Sequence, residues 1–223
     1  MQNFFDVPSP LVKALKASCD ALSVTPCTPQ VNSPCILGAG GSGVVFRATP
    51  IVSDQTSTTA AMQTKALKVV VGDYGAILRL DRKWEAIKMA RDHSDRVVSV
   101  GDKFISYEFA AYLINEVGNA VGTSSEEQKK DLFVALHDLH IHGVSHGDVR
   151  FFNAISFSGR ILWIDFEGLF FFDKITWRIA DDFSQLFKSL FAQEPTEAQI
   201  MVYKQCVEAK QISAETWESL GVL

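Results

Sequence analysis

Residues 146–168, HGDVRFFNAISFSGRILWIDFEG, are the stretch that decides the fold. The segment opens with a histidine, a glycine and Asp148, and Asn153 follows five residues later. Two apolar runs then flank Ser158-Gly159, a turn pair typical of a short hairpin, and Asp165 comes at the end of the second run. Three side chains that carry carboxylate or amide oxygen atoms therefore flank one predicted hairpin.

The composition indicates a folded chain without a strongly basic surface. The protein has 223 residues, of which 47% are hydrophobic and 11% aromatic, enough for one domain or two small lobes with a sizeable core. The formal net charge of -5 argues against a surface that neutralises phosphodiester backbones or anionic lipid. We therefore expect neither nucleic acid nor membrane as a partner, and the sequence says nothing about oligomeric state.

The sequence also favours an intracellular, cytoplasmic location. The first residues lack a basic flank followed by a continuous apolar stretch, and no later segment is long and apolar enough to span a bilayer. The four cysteines form no CxxC pair, which suits reduced thiols.

The chain is predicted to divide into three parts. Residues 1–34 read as a helix that begins at Ser9 and an extended linker, VTPCTPQVNSP, so the folded body is expected to begin near Cys35. Residues 35–118 are mostly strand and residues 119–223 mostly helix.

Four helices are predicted within the folded body. Apolar spacing indicates helices over 74–92, 178–192 and 196–210. A further helix, EEQKKDLFVALHDLH, is expected to begin with a capping box formed by Ser124 and Glu127.

A glycine-rich stretch opens the folded body with the pattern GxGxxGxV. Gly38, Gly40, Gly41, Ser42 and Gly43 would let backbone N–H groups approach phosphate oxygens without a Cβ in the way. A strand, not a helix, is predicted to follow, which excludes a dinucleotide-binding turn, and no Gly-Lys-Ser/Thr excludes a Walker loop. A glycine-rich hairpin without a ligand stays open as the alternative.

Lys68 lies in an apolar predicted strand, where a charge needs an anionic partner. One interpretation is that Lys68 binds ATP phosphates and is held by an acid from the next helix. Glu85 is the first candidate and Asp81, one turn earlier, the second. The other interpretation is an edge-strand lysine that points to water.

Together these motifs resemble the protein kinase superfamily, in a compact, atypical form with an HGDxxxxN catalytic loop. The glycine loop, the strand lysine, the HxDxxxxN loop and a DF(x)G element occur in the required order. Leu139-His140 and Gly143 match the LHxxG that commonly precedes the loop. The resemblance implies an α+β fold with a β-rich small lobe, a truncated helical large lobe, and ATP with Mg²⁺ bound in a cleft between them.

The resemblance also implies roles for single residues. Asp148 would orient or deprotonate the acceptor hydroxyl, and Asn153 and Asp165 would hold Mg²⁺. Arg150 would steady the γ-phosphate. The residues implied in nucleotide binding are Gly38, Gly40, Gly41, Ser42, Gly43, Val45, Ala66, Lys68, Glu116 and Gly118, with Glu85 supporting Lys68.

Two further segments gain an interpretation from the resemblance. Leu113–Gly118 is similar to the hinge between lobes, with the backbone of Glu116 to Gly118 on adenine and Asn115 as gatekeeper. Asp181 would brace the catalytic loop backbone, although a simple helix N-terminal carboxylate is the alternative.

The clustered histidines at 137, 140, 142 and 146 raise a different possibility, a metal site. Their spacing fits no standard ligand motif, and no cysteine is nearby, so zinc binding is disfavoured.

Several departures from the family pattern bear on activity and acceptor. Gly147 replaces an arginine, Glu167 stands where a glycine is usual, and only 15 residues separate Asp165 from Asp181. An extended platform for a peptide substrate does not fit there, and the acceptor hydroxyl stays open between that of a protein and that of a small molecule. A pseudokinase that binds nucleotide as a scaffold or switch is the alternative from another class.

Overall fold

The structure is a computed structural model that describes residues 9–27, 36–41, 43–51, 63–123, 125–167, 170–171 and 177–221. The described residues form a mixed α/β fold with an antiparallel sheet and six helices. The helices are α1 (Ser9–Ala21), α2 (Tyr74–His93), α3 (Glu126–Ile141), α4 (Trp177–Phe191), α5 (Glu197–Ala209) and α6 (Ala214–Ser219). The strands are β1 (Val24–Pro26), β2 (Ile36–Gly40), β3 (Gly43–Pro50), β4 (Lys65–Val71), β5 (Val100–Ile105), β6 (Phe109–Ile114), β7 (Asn119–Ala120), β8 (Val144–Ser145), β9 (Ala154–Phe157), β10 (Arg160–Trp163) and β11 (Phe170–Phe171).

Contacts divide the chain into two compact units. The first unit comprises Met1–Trp84 and Ser99–Val117, and the second comprises Glu85–Val98 and Gly118–Leu223. The chain passes from one unit to the other at three places: within α2 after Trp84, after Val98 and after Val117.

The first unit is built on one antiparallel sheet with the strand order β1-β3-β4-β6-β5, and β2 also pairs with β3. Strand β4 lies centrally and is rich in β-branched residues, which suit a buried pleated strand. Successive side chains of β4 point to opposite faces of the sheet. Leu67 and Val69 therefore share one face, and Ala66 and Lys68 share the other.

Helix α1 packs on the face that carries Leu67 and Val69. Its Ala14, Leu15 and Cys19 belong to the same buried cluster as these two strand residues. The expectation that the folded body begins near Cys35 is therefore wrong, because α1 supplies part of the core.

The expected linker is also wrong where it meets the sheet. Val24–Pro26 form β1 and pair with β3, with Val24 opposite Pro50. Pro26 ends this short strand, at the sheet edge where a residue without an N–H is tolerated. Residues 28–35 lie outside the described residues.

The second unit is mainly helical and has an aromatic core. Phe133 of α3 packs against Phe183 and Phe187 of α4 and Trp217 of α6. Tyr203 of α5 stacks on Phe183 with 4.4 Å between ring centroids. These rings hold the four helices together.

The predicted hairpin is confirmed as β9 and β10, which pair from Ala154 opposite Trp163 to Phe157 opposite Arg160. Ser158 and Gly159 both have positive φ, 50° and 74°. Two positive φ angles match the hairpin turn whose twist suits the flanking strands.

The predicted helices are confirmed, with local corrections. Helix α3 begins after Ser125, whose side chain accepts from Gln128 N, so the expectation of a cap at Ser124 is wrong. Ser124 itself lies outside the described residues. Helix α6, with a capping box formed by Ser213 and Thr216, was not predicted.

Within the described ranges, no helix combines the length and apolar character needed to cross a membrane.

Candidate functional site

The β9–β10 hairpin brings two predicted site residues to the same end. Asn153 immediately precedes β9, and Asp165 lies two residues after β10, whose Trp163 is opposite Ala154. The hairpin continues as a hydrogen bond from Ile164 N to Asn153 O at 2.9 Å. Asp165 directly follows the residue that is hydrogen bonded to Asn153, so the backbones of Asn153 and Asp165 lie close together.

Asp148 is joined to the same end of the hairpin through Asn153. The Asn153 amide Nδ2 donates to the Asp148 carbonyl O at 2.9 Å and to Asp148 Oδ2 at 2.7 Å. A 3-10 turn, Phe151–Asn153, closes the loop, with Asn153 N donating to Arg150 O at 2.8 Å. Since both amide hydrogens of Asn153 are used on Asp148, its Oδ1 is the side-chain atom suited to a hard cation.

Arg150 holds the other oxygen of the Asp148 carboxylate. Its guanidinium forms an ion pair with Asp148 Oδ1 and also lies over the ring of Phe152, 4.8 Å from the centroid. Both oxygens of the Asp148 carboxylate therefore have a partner, and these contacts fix its orientation.

His146 links the loop to Ile164, the residue that follows β10. Its Nε2 donates to Ile164 O at 2.9 Å, and its Nδ1 accepts from Asp148 N at 3.2 Å. Its ring lies 4.2 Å from the ring of Phe166, centroid to centroid. Burial lowers the pKa of His146 below its ordinary value, against the opposing effect of Asp182, so the ring is neutral with its proton on Nε2.

Asp165 has an unusual backbone conformation. Its φ is +61°, in the left-handed region that non-glycine residues seldom adopt. The conformation is held by the buried neighbour Phe166 and by a hydrogen bond from Glu167 N to His146 O at 3.2 Å. Such conformations concentrate at functional sites. Gly168 lies outside the described residues.

Asp182 of α4 holds the backbone of the loop that precedes Asp148. Its Oδ2 accepts from His146 N and Ser145 Oγ, each at 2.8 Å, and from His140 Nε2 at 3.1 Å. Its Oδ1 accepts from Gly147 N at 2.9 Å. Gly147 has a φ of +84°, so a glycine suits the position where the family pattern has an arginine.

The assignment of this role to Asp181 is therefore wrong by one residue. Asp181 instead accepts from Gln185 Nε2 at 3.0 Å, and Gln185 Oε1 accepts from Val149 N at 2.8 Å. A signal for Asp182 was present in the sequence, because it shares a helical face with the buried Ile179 and Leu186.

The buried carboxylate of Asp182 is ionised. Burial acts to raise its pKa, but the hydrogen bond and charge of His140, together with the neighbouring His146, hold the pKa below its ordinary value. An ionised carboxylate with four donors is a strong anchor for a backbone loop.

The other clustered histidines have separate structural partners. His137 Nε2 donates to the backbone O of Cys206 at 3.2 Å, and His142 Nδ1 donates to Asp138 O at 2.8 Å. His140 contacts Tyr203 as well as Asp182. Among the described residues, no group of three or more His, Cys, Asp or Glu side chains is arranged to hold a metal ion.

In the first unit, the glycine-rich stretch is a hairpin between β2 and β3. Gly40 pairs with Gly43, so a two-residue turn joins the strands. A Cβ added at Gly38, Gly40 or Gly41 would have no atom within 4 Å. The continuation as a strand agrees with the predicted exclusion of a dinucleotide-binding turn. Ser42 lies outside the described residues.

Lys68 is a buried residue of the central strand, with 4% of its surface exposed. The alternative of an edge-strand lysine pointing to water is therefore wrong. Lys68 is opposite Val45 on one side and Tyr112 on the other, so these three side chains lie on one face of the sheet. Ala66 shares that face, which is the one opposite α1.

The two acids considered as partners of Lys68 are placed differently along α2. Asp81 belongs to the first unit and accepts from Lys103 Nζ at 2.6 Å, and Lys103 also lies over the ring of Trp84. Glu85 is an exposed residue of the second unit.

The segment after β6 is fixed by Ser99. Glu116 accepts from Ser99 N at 2.8 Å and from Ser99 Oγ at 2.9 Å, while Asn115 N donates to Ser99 O at 3.0 Å. Asn115 is the first residue after β6, and its side-chain amide also donates to Ser99 Oγ. In the second unit, a Cβ on Gly118 would lie 2.5 Å from the carbonyl O of Ser156, so only glycine fits there.

Comparisons with known proteins identify the fold. No protein-family profile and no curated protein sequence matches the chain. The autoinhibited serine kinase domain of the giant muscle protein titin has a similar structure, with a TM-score of 0.54 and 16% identity, covering 93% of this chain and 71% of that one. At this identity the similarity concerns the fold alone, and it shows that the chain has a protein-kinase-like fold.

Proposed function

We propose that the chain transfers the γ-phosphate of ATP to a hydroxyl group of an acceptor, either a protein or a small molecule. The observation that carries this proposal is the fixed Asp148 carboxylate beside Asn153, at the hairpin end that also presents Asp165. Fixed polar groups that need no rearrangement are what phosphoryl transfer requires from a protein.

In the proposed reaction, Asp148 accepts the proton of the acceptor hydroxyl as the hydroxyl oxygen bonds to the γ-phosphorus. The bond between the γ-phosphorus and its bridging oxygen breaks, and ADP leaves with that electron pair. Each Asp148 oxygen already receives one hydrogen bond or ion-pair contact, and each retains a second lone pair for the hydroxyl.

Asn153 and Asp165 supply the oxygen atoms that Mg²⁺ prefers, and we assign both residues to the metal. When bound, Mg²⁺ would neutralise charge on the phosphates. Arg150, already beside Asp148, would steady the γ-phosphate as a planar donor.

We assign the phosphates of ATP to Lys68 and the glycine-rich hairpin, with Glu85 as support for Lys68. The position of Lys68 supports this assignment, because it is buried on the central strand and its strand partner Val45 belongs to β3, the second strand of the glycine-rich hairpin. Val45 and Ala66 share its face of the sheet, and Glu116 and Gly118 would lie at the adenine edge.

A second candidate function is a nucleotide-binding pseudokinase that acts as a scaffold or switch. The observation that favours it is Glu167, an exposed acid directly after Phe166 where the resembled pattern has glycine. Its backbone N–H is tied to His146 O, so the segment beside Asp165 is less free to move.

A transfer assay with γ-labelled ATP, generic protein acceptors and small hydroxyl acceptors separates the two functions. We expect wild-type transfer that falls at least about a hundredfold in Asp148→Asn, the usual scale of a lost general base. We expect Asp165→Ala to abolish transfer and Lys68→Met to weaken it strongly. Asp102→Asn, a change at an exposed aspartate of β5, serves as the control and should keep wild-type activity. Mg²⁺-dependent ATP binding without transfer would favour the pseudokinase, and full activity in Asp148→Asn would refute the assignment of the base.

A further inference from the structure

Tyr203 of α5 is a buried tyrosine whose hydroxyl is hydrogen bonded to a residue that itself contacts the brace of the catalytic loop. Its OH lies 2.9 Å from His140 Nδ1, and His140 Nε2 lies 3.1 Å from Asp182 Oδ2. Asp182 in turn accepts from the backbone N–H groups of His146 and Gly147. A continuous chain of hydrogen bonds therefore runs from α5 to the residues that precede Asp148.

The direction of the hydrogen bond between His140 and Asp182 is fixed by the carboxylate, which can only accept. Asp182 is ionised, so His140 Nε2 must carry a proton to donate to it. The Tyr203 hydroxyl, which can both donate and accept, is the hydrogen-bond partner of His140 Nδ1 at the other end of the ring. Burial raises the pKa of Tyr203 well above its ordinary value, which keeps the hydroxyl protonated.

The tyrosine has little freedom to leave this position. Its ring is fully buried and stacks on Phe183, with 4.4 Å between centroids and 19° between planes. The ring also meets His140 edge-on, 5.7 Å between centroids. The hydroxyl is thus presented to His140 Nδ1 by a rigid aromatic support.

We propose that Tyr203 is a positioning residue for the catalytic loop, acting through His140 and Asp182. Without the hydroxyl, the buried Nδ1 would lose its hydrogen-bond partner, and the imidazole would turn or take up water to satisfy it. Asp182 would then lose one of its four donors, and the backbone of residues 145–148 would loosen. In this way α5, a helix remote in sequence, contributes to the geometry of Asp148.

The proposal rests on the proposed phosphotransfer for its effect on rate, and the test separates the two. Hydrogen exchange of the His146 and Gly147 amides is measured without ATP in the full chain. We expect Tyr203→Phe to exchange these amides about tenfold faster, the scale of one lost buried hydrogen bond. Unchanged exchange would overturn the proposal, whatever the activity of the protein.

Two further variants exclude a merely structural role. Val207→Ala removes buried side-chain atoms from the same helix without touching the hydrogen-bonded chain, so it should lower thermal stability and leave the exchange of these two amides unchanged. His140→Gln places a permanent amide donor near the Nε2 position. In that background Tyr203→Phe should have no further effect, and independent, additive effects would contradict action through His140.

Turnover gives the remaining readout. In Tyr203→Phe we expect kcat to fall about tenfold with the KM for ATP unchanged, because Asp148 loses its position while the nucleotide contacts stay. An equal loss in Val207→Ala would overturn the positioning role. A wild-type protein without transfer activity would refute the proposed phosphotransfer, and the amide exchange would still decide whether Tyr203 orders the loop.

Discussion

The carboxylate of Asp148 has both oxygens engaged by neighbours in its own loop, Arg150 on one and Asn153 on the other. The backbone of the same loop is held by the buried carboxylate of Asp182, which accepts four hydrogen bonds. Removing one partner of such a network leaves others unsatisfied, which costs more than a single exposed hydrogen bond. At the residue scale, the site is therefore prearranged.

Two buried histidines of the second unit give a prediction about pH. Burial lowers the pKa of His137 and of His146 below the ordinary 6.5. As the pH falls below that value, the unfolded chain takes up protons that the folded chain does not, so the free energy of unfolding decreases. Each histidine contributes a slope of up to about 1.4 kcal/mol per pH unit.

We expect His137→Gln to remove one histidine's share of this slope, since its amide can still donate to Cys206 O. Urea unfolding of both proteins between about pH 7.5 and 5 measures the two slopes. Equal slopes in the variant and the wild type would show that His137 does not titrate in this way.

At the scale of elements, two hairpins position the candidate site residues, one in each unit. The β2–β3 hairpin separates two kinds of glycine. Gly43 has a φ of +116°, and a Cβ there would lie 2.5 Å from Val69 O, whereas Gly40 is open. The first glycine is required by the fold, and the second is free to serve a ligand.

We therefore expect opposite effects from two glycine substitutions. Gly43→Ala should destabilise the protein by more than about 1 kcal/mol, because the left-handed backbone and the close contact both oppose a side chain. Gly40→Ala should leave stability nearly unchanged and weaken Mg·ATP binding, since its methyl would stand where the phosphates approach the backbone. Urea unfolding and calorimetric titration measure the two quantities, and wild-type affinity in Gly40→Ala would argue against a phosphate site on this hairpin.

Helix α1 gives a second prediction at this scale. Leu15 is 5% exposed in the core of the first unit, while Val12 on the same helix is 44% exposed. Leu15→Ala should lower the free energy of unfolding by about 2–4 kcal/mol, the scale of a buried cavity. Val12→Ala, the matched control, should change it by less than about 1 kcal/mol. Similar losses in both variants would mean that α1 is not part of the core.

At the scale of the whole molecule, the order of motifs along the chain was enough to predict a protein-kinase-like fold. The long periodic helices and the β9–β10 hairpin were predictable because apolar spacing and a Ser-Gly turn determine them locally. The cluster of Asp148, Asn153 and Asp165 within one unit followed from the same hairpin.

What the sequence did not predict depends on tertiary contacts. Val24–Pro26 have the proline and polar content of a linker, and only pairing with β3 makes them a strand. The alignment of the motif pointed to Asp181, whereas the buried face of α4 includes Asp182. Choosing correctly between the two required giving more weight to the buried face than to the motif. The role of Tyr203 depends on a contact across 63 residues of sequence, which no local pattern encodes.

Our proposal is that Lys68, Asn153 and Asp165 bind one nucleotide and its cation. Crystals of the chain with Mg²⁺ and a non-hydrolysable ATP analogue test it most directly. We expect oxygen atoms of Asn153 and Asp165 at about 2.1 Å from the metal, and the Lys68 ammonium hydrogen bonded to a phosphate. A nucleotide bound away from these residues, or none bound at saturating concentration, would contradict it.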